Sequence, residues 1–292
     1  MENNSNITTT IINTINTILD SLFSSVDNGL YSILDDITFI SSDIINDSYF
    51  EKILGTNTSN GILLIANSLL FGFLLYYSIK HLFSYLYYSQ IESPAQFIFK
   101  VIILGLAVNF SYFICEQILN IMSYITLAIR GIGENLFNKN ICFSELILEI
   151  NDIIAINSSS FDIFSLDGIL KAFITSSLLN LVFTYSFRYV MVKLFILLSP
   201  FAILSLTLNN TSWFFKAWFR NLFSLLFIQI IVSIVLLILF SLDYSSTNLM
   251  TKFIYVGAIY TLIKSNSIVR DFIGGVSTTF AQNVNNFFKK WL

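Results

Sequence analysis

The chain is poor in charged residues, in proline and in histidine. Of its 292 residues only 11% are Asp, Glu, Lys or Arg, against 55% apolar residues, and there are two prolines and one histidine. Ordinary soluble proteins have about 25% charged residues, so this composition is too apolar for a water-soluble fold. The mean hydropathy is +0.75. We therefore predict an all-α, polytopic membrane protein for which the lipid bilayer is the main solvent.

Sequence motifs for catalysis are also missing. The chain has no G-x-x-x-x-G-K-[ST] loop to hold ATP phosphates, no H-E-x-x-H, no C-x-x-C and no G-x-S-x-G. The single histidine, His81, offers little material for a catalytic triad or a histidine metal site. We expect no enzyme activity, no cofactor and no metal. Cys115 and Cys142 could form a disulfide, but two free thiols are the favoured interpretation.

The first 60 residues contain no apolar run near the ~20 residues that a spanning helix needs. Apolar residues recur every three or four positions, as on one face of a helix: Ile11, Ile15, Leu19, Leu22, Val26, Leu30, Ile33, Ile37 and Ile40. We predict an external, acidic, amphipathic helical region over 1–60, broken near Gly29. It either lies on the membrane or forms its own domain, or it contacts other subunits of an oligomer.

About five membrane-spanning helices are predicted after this region. Residues 61–130 contain the first two, a span over 62–79 and a helix from Pro94 to Ile129. Ser93 is positioned to cap that second helix, which would be about 54 Å long at 1.5 Å per residue. It would therefore project beyond the ~30 Å hydrocarbon core of a bilayer.

The second half of the chain is predicted as a loop, a membrane core and a tail. Residues 131–168 form an external loop with a short helix around 144–154. The core, 169–264, begins with an apolar stretch to Leu208 that is either one helix bent at Ser199–Pro200 or two spans meeting near Arg188. Further spans are expected over 221–242 and 253–263. Residues 265–292 form a basic amphipathic tail of the kind that lies on an anionic membrane face.

The distribution of Lys and Arg predicts the orientation, because basic residues in short loops stay in the cytoplasm. With five spans, eight Lys/Arg and two acids share one side, in 80–100, 207–220 and 264–292. Five Lys/Arg and sixteen acids share the other, in 1–60, 116–171 and 242–252. We predict a multi-pass protein of the cytoplasmic membrane with its N-terminus outside and its C-terminus in the cytoplasm.

Among the polar residues inside predicted spans we single out Arg188, Lys193, Asn109 and Gln229. A charge in hydrocarbon costs several kcal/mol on insertion scales. Arg188 and Lys193 therefore either mark a helix end and reach water or lipid phosphate, or line a wet cavity, or hold neighbouring subunits. Asn109 and Gln229 are expected to form hydrogen bonds between helices.

The segment from Phe187 onward resembles the TrbL-type family of conjugal transfer proteins. The likeness covers about 100 residues, from FRYVMVKLFILLSPFAILSL through SWFFKAWFRNLFSLLFIQIIVSIVLLILF. It consists of Arg188 before an apolar stretch, the helix break at Ser199 and Pro200, and a basic, aromatic segment that leads to the span with Gln229. That segment contains Lys216, Trp218 and Arg220, which also suit the cytoplasmic membrane interface.

The resemblance implies a channel or scaffold subunit of a type IV secretion (conjugation) machine. Such a subunit acts as a homo-oligomeric ring with other secretion subunits, while separate ATPases supply the energy. It makes transient contact with the DNA or protein cargo that leaves the cell. Two alternatives compete with this function: a small-molecule transporter or permease subunit, and a structural membrane anchor for a complex.

Overall fold

The computed structural model describes residues 33–55, 61–87, 93–153, 166–242 and 249–274, with residues 10, 13, 14, 17, 18 and 21. Within these ranges every regular element is a helix, which confirms the predicted all-α class. Most of the predicted amphipathic helix before residue 33, and the tail after Gly274, lie outside the described residues.

Nine helices follow one another in the described residues, after a helical turn over 33–38. They are α1 (Ser48–Leu54), α2 (Ile62–Tyr87), α3 (Pro94–Asn109), α4 (Ser111–Phe137), α5 (Phe143–Ile153), α6 (Leu166–Leu197), α7 (Ser199–Leu204), α8 (Ser212–Phe240) and α9 (Leu249–Ile273). Short 3₁₀ turns at Ser42–Ile44, Ser205–Thr207 and Asn209–Thr211 connect them.

Four helices of the described residues are long and apolar enough to cross a membrane. They are Ile62–Ser84 within α2, the whole of α4, Gly168–Leu197 within α6, and the whole of α8. The polytopic membrane fold is therefore confirmed. Helix α3 is apolar but only 16 residues long. Helix α9 has 25 residues, extending the predicted span 253–263 on both sides, but it is not among the four.

Helix α8 is the centre of a bundle formed with α4, α6 and α9. In one half of the bundle, Val232, Leu236 and Leu239 of α8 share a buried cluster with residues of α6 and α9. In the other half, Trp218, Leu222 and Leu226 share a buried cluster with residues of α4 and α6. Each buried Leu or Ile side chain contributes about 1.5–3 kcal/mol in water, but in lipid close packing holds such helices together.

Helices α2 and α3 form a hairpin that meets the bundle at one end. Ala66 near the start of α2 and Val108 near the end of α3 are buried with Ile203 and Leu204. Farther out, the buried cluster of Tyr77, Phe97 and Val101 contains residues of this hairpin alone. Most of α2 consequently faces away from the bundle.

The prediction of one uninterrupted helix from Pro94 to Ile129 is wrong, because the helix breaks at Phe110. This residue has φ −91° and ψ 7°, and its N–H points at the carbonyls of both Leu106 and Val108. Ser111 and Tyr112, which follow, are buried at the start of α4. Neither proline nor glycine marks this position, so the break is invisible in the sequence pattern.

The structure decides between the two interpretations of residues 169–208. Helix α6 runs without interruption through Arg188 to Leu197, and the helix breaks at Leu198, directly before Ser199 and Pro200 in the first turn of α7. Two spans meeting near Arg188 are excluded. The short helix predicted around 144–154 is confirmed as α5.

Residues 33–55 pack along the bundle of this same chain. Leu34 belongs to the buried cluster that includes Leu236 and Phe240, near the end of α8. Phe50 and Leu54 belong to the cluster that includes Trp218 and Leu222, near the beginning of α8. The segment thus contributes to the buried clusters of both halves of the bundle.

Candidate functional site

The side chain of Arg188 is completely buried in the bundle, at 0% exposure. Its Nε donates to the carbonyl oxygen of Leu225 on α8 at 2.7 Å, and its Nη1 donates to the carbonyl oxygen of Thr38 at 2.9 Å. In the described part of the chain no carboxylate forms an ion pair with it. Main-chain carbonyls therefore solvate this cation, a common arrangement for arginine at membrane depth.

Gln229 of α8 completes the site and is also fully buried. Its Oε1 accepts the backbone N–H of Ile40 at 3.1 Å and the Nη2 of Arg188 at 3.4 Å. Its Nε2 has no hydrogen-bond partner among the described residues. Arg188 and Gln229, both singled out by the sequence, thus meet each other and bind the backbone on either side of Phe39.

Tyr185 connects this site to α9. It lies one turn before Arg188 on α6, and its ring centroid is 5.9 Å from the guanidinium carbon. Its hydroxyl donates to the carbonyl oxygen of Leu262 at 3.2 Å and lies 3.3 Å from Oγ of Ser265. Tyr185 therefore links the backbone of α9 to Arg188 through buried contacts. Sequence analysis missed this link because Tyr and Ser are common in apolar helices.

Lys193 is not part of the Arg188 site. Its Nζ lies 3.4 Å from Oδ2 of Asp47, and it lies 5.4 Å from the ring centroids of Phe50 and Tyr189. The lysine side chain is 26% exposed and the aspartate 44%. Such an ion pair is screened and contributes about 0–1 kcal/mol in water, so its main effect is to position residues 47–50 on α6.

Asn109 pairs with Asn67 between α3 and α2. Each amide nitrogen donates to the other amide oxygen, at 3.1 and 3.3 Å, and Asn109 Nδ2 also donates to the carbonyl oxygen of Gly105 at 2.8 Å. The pair joins the two helices of the hairpin. The hydrogen bonds to Arg188 and Gln229 do not include either asparagine.

The helix break and the basic, aromatic segment join α6 to α8. Trp218 is buried, and its Nε1 donates to the carbonyl oxygen of Phe195 on α6 at 2.7 Å. Lys216 and Arg220 are exposed on the same part of α8. The Arg220 side chain lies against Gly274, so that a Cβ there would be 3.3 Å from its Cδ. The beginning of α8 and the end of α9 therefore lie together.

Asp35 and Arg130 contact residues 141–144, a connection that sequence analysis missed. The Asp35 carboxylate accepts the backbone N–H groups of Phe143 and Ser144 at 2.9 and 3.3 Å, which caps α5. Arg130 lies 4.6 Å from the ring centroid of Phe39, and its Nε donates to the carbonyl oxygen of Ile141 at 2.7 Å. In the sequence, Asp35 is an acidic residue outside the apolar face of the predicted helix. Nothing in that pattern indicates a partner 108 residues away.

A cavity of about 430 Å³ lies between this N-terminal segment, α4 and α6. Asp35, Asp36 and Asp43 line it together with Arg130 and Tyr189. No group of three or more metal-ligating side chains occurs within the described residues. The cavity is polar on the side of the N-terminal segment and gives its carboxylates access to water.

The two cysteines are free thiols. Cys115 is buried within α4, whereas Cys142 is half-buried before α5. Burial raises the pKa of the Cys142 thiol, and the backbone N–H of Glu145, 3.4 Å from Sγ, partly opposes that rise. A thiol of raised pKa is a poor nucleophile at neutral pH.

Comparison of the chain with protein-family models, curated proteins and solved structures found no match. The functional proposal therefore rests on the residues around Arg188 and Gln229.

Proposed function

We propose that this chain is a membrane scaffold or channel subunit of a type IV secretion (conjugation) machine. It acts in a ring of copies with partner subunits, while separate ATPases drive the transfer of DNA or protein cargo. The observation that carries the proposal is that the segment resembling the TrbL-type family folds as one unit. Arg188 on α6 binds Leu225 and Gln229 on α8, and Trp218 on α8 binds Phe195 on α6.

The outward-facing helices support a role in an assembly. Only 11% of the most apolar stretch of α2 is buried by the chain itself, against 61% for α8. Lipid or neighbouring subunits can cover the remainder, and a scaffold subunit needs such surfaces. The proposed orientation has residues 207–220 and the C-terminus in the cytoplasm and residues 131–168 outside, in agreement with the distribution of Lys and Arg.

The direct test is transfer in the native host. Deleting the gene should abolish conjugation or secretion, and a plasmid copy should restore it. Arg188→Ala should reduce transfer strongly, whereas Lys216→Ala, which removes an exposed cation of the same segment, should stay near wild type. Membrane levels of both variants are measured by immunoblot. A deletion strain that transfers normally would remove the proposal, and a defect in uptake or export of a small solute would favour a transporter.

Crosslinking separates a conduit from a mere anchor. A photo-reactive amino acid at Val190, which is 61% exposed and close in sequence to Arg188, or at Leu148 of α5, which is 55% exposed, should trap cargo or a partner subunit during transfer. The same group at Leu75 on the outer part of α2 is the control for lipid-facing positions. Capture of partner subunits without cargo at all positions would indicate an anchor.

Orientation is tested with a reporter that is active only in the cytoplasm. Fused after Leu292 it should be active, and inserted at Ser159 it should be silent. The opposite pattern would overturn the proposed topology without affecting the packing described above.

A further inference from the structure

The backbone of residues 38–40 lies deep within the bundle although it is not helical throughout. Thr38 is 0% exposed and Ile40 2%, and the helical turn ends at Thr38. The partner of Ile40, Gln229, lies near the middle of α8, the most apolar of the candidate spans. At such depth a non-helical backbone is tolerated only where protein groups satisfy its polar atoms.

Two side chains supply what this backbone needs. Arg188 Nη1 donates to the carbonyl oxygen of Thr38, and Gln229 Oε1 accepts the N–H of Ile40. The Arg188–Gln229 and Arg188–Leu225 hydrogen bonds hold the two side chains in place. Both hydrogen bonds to the segment involve main-chain atoms, so the pair recognises the backbone at the end of a helical turn rather than a particular side chain.

We propose that Arg188 and Gln229 form an intramembrane binding site for the polypeptide backbone at the end of a helical turn, occupied by residues 38–40. Through this site the N-terminal segment, residues 33–54, crosses the hydrophobic thickness of the bundle. The inference rests on the membrane fold and is independent of the secretion function.

The contacts at the two ends of the segment support a full crossing. At one end Asp35 caps α5, and Leu34 belongs to the buried cluster that includes Leu236 and Phe240. At the other end Phe50 and Leu54 belong to the buried cluster that includes Leu222 and Trp218. The stretch of α8 from Leu222 to Phe240 is about 27 Å long at 1.5 Å per residue, close to the ~30 Å of a hydrocarbon core.

The aspartates of the segment fit this path because each of them pairs with a cation or lines the cavity. Asp47 pairs with Lys193, and Asp36 and Asp43 line the cavity beside Arg130. Intramembrane carboxylates face a cavity or a cationic partner, as these three do. A segment built in this way has too little hydropathy to be found by a search for apolar spans.

The crossing opens residues 33–36 to one face of the membrane through the cavity beside Arg130, and it places residues 52–55 at the opposite face. The hairpin α2–α3 begins and ends at the same end of the bundle, so it does not change the side. The segment, α4, α6, α8 and α9 make five crossings, and the α2–α3 hairpin adds none or two. The total therefore stays odd, as an outside N-terminus and a cytoplasmic C-terminus require.

Cysteine labelling tests the crossing in the full-length protein in intact cells. In a Cys115→Ala, Cys142→Ser background, Asp36→Cys should react with a membrane-impermeant maleimide, whereas Lys52→Cys should react only after permeabilisation. Both positions are exposed and need no change in the core. Labelling of both from the same side would overturn the proposal. Labelling in the reverse order would support the crossing and overturn only the outside N-terminus.

A second experiment tests the binding site itself. In the same background Thr38→Cys, at a side chain that is 0% exposed, should label slowly with a small maleimide in purified protein. Gln229→Leu removes the acceptor and should raise that rate about tenfold, whereas Gln229→Glu keeps an acceptor and should leave it near the parent rate. Asn109→Leu, which removes a polar contact of the α2–α3 hairpin, is the matched control. An unchanged rate in monodisperse Gln229→Leu protein, or an equal rise in Asn109→Leu, would overturn the site.

Discussion

Helices α8 and α2 are both strongly apolar, yet they occupy opposite environments. Their most apolar windows have mean hydropathies of 3.0 and 2.0. In α8 61% of that window is buried by the rest of the chain, and in α2 11%. Helix α8 contacts α4, α6 and α9, whereas among the described residues the buried cluster of the outer half of α2 contains only residues of α2 and α3.

The difference shows that hydropathy reports the preference of a helix for lipid and not its place in the protein. Buried polar groups are the better guide. Ser224, Gln229 and Ser233 of α8 are at most 4% exposed. Small and polar residues are typical of packed faces between membrane helices. Substitutions in α6 and α8 should therefore destabilise the protein far more than equivalent substitutions in α2.

The largest effect is expected for Arg188→Met. This change leaves the Thr38 carbonyl without its donor and removes one of the two donors to Gln229 Oε1, which should lower the free energy of unfolding by about 3 kcal/mol. Denaturation in mixed micelles with increasing SDS measures it. Stability equal to that of the parent protein would show that the buried cation is incidental to the fold.

A smaller loss is expected for Trp218→Phe. The change removes the 2.7 Å hydrogen bond to the Phe195 carbonyl and leaves a small void between α6 and α8. The expected cost is about 1–2 kcal/mol, measured in the same SDS titration. Trp213→Phe provides the matched control, since Trp213 is 66% exposed. If both substitutions lower the free energy of unfolding equally, the hydrogen bond between α6 and α8 contributes little to stability.

A still smaller effect is expected for Asn109→Leu in the hairpin. Hydrogen bonds between membrane helices average about 0.6 kcal/mol, and the Asn109 pair with Asn67 involves only α2 and α3. A Cβ at Gly105 would lie 3.1 Å from Cδ2 of Leu70. Disulfide trapping between cysteines at these two positions therefore reports the hairpin contact directly. If Asn109→Leu lowered the free energy of unfolding as much as Arg188→Met does, the division between bundle and hairpin would be contradicted.

Leu75→Ala should change stability least, by under about 0.5 kcal/mol. Leu75 is 52% exposed on the outer part of α2. Leu236→Ala is its counterpart in α8, where the side chain is fully buried and the expected cost is about 2–5 kcal/mol. Thermal melting in detergent distinguishes the two. Similar melting temperatures would mean that α2 is packed as tightly as α8.

Much of the architecture was predictable because membrane helices are defined by local composition. The spans in α2, α6 and α8, the break at Pro200 and helix α5 all follow from apolar runs, proline and capping residues. The break at Phe110 was not predictable, since neither proline nor glycine marks it in the sequence.

The candidate site was predictable in part. Arg188 and Gln229 stand out because polar side chains are costly in apolar spans. Their shared partner could not be predicted, because a backbone carbonyl or N–H has no residue type. Thr38 and Ile40 carry no sign in the sequence that their main chain is bound 150 and 189 residues away.

That separation along the chain has a consequence for biogenesis. The ribosome releases residues 38–40 long before it makes Arg188, and it makes Gln229 later still. The N-terminal segment cannot take its final path while the translocon is still inserting α6 and α8, and until then its backbone must be hydrated or bound by a chaperone. Docking of the oldest part of the chain is thus one of the last events of maturation, and a nascent chain stalled before α8 would hold the segment undocked.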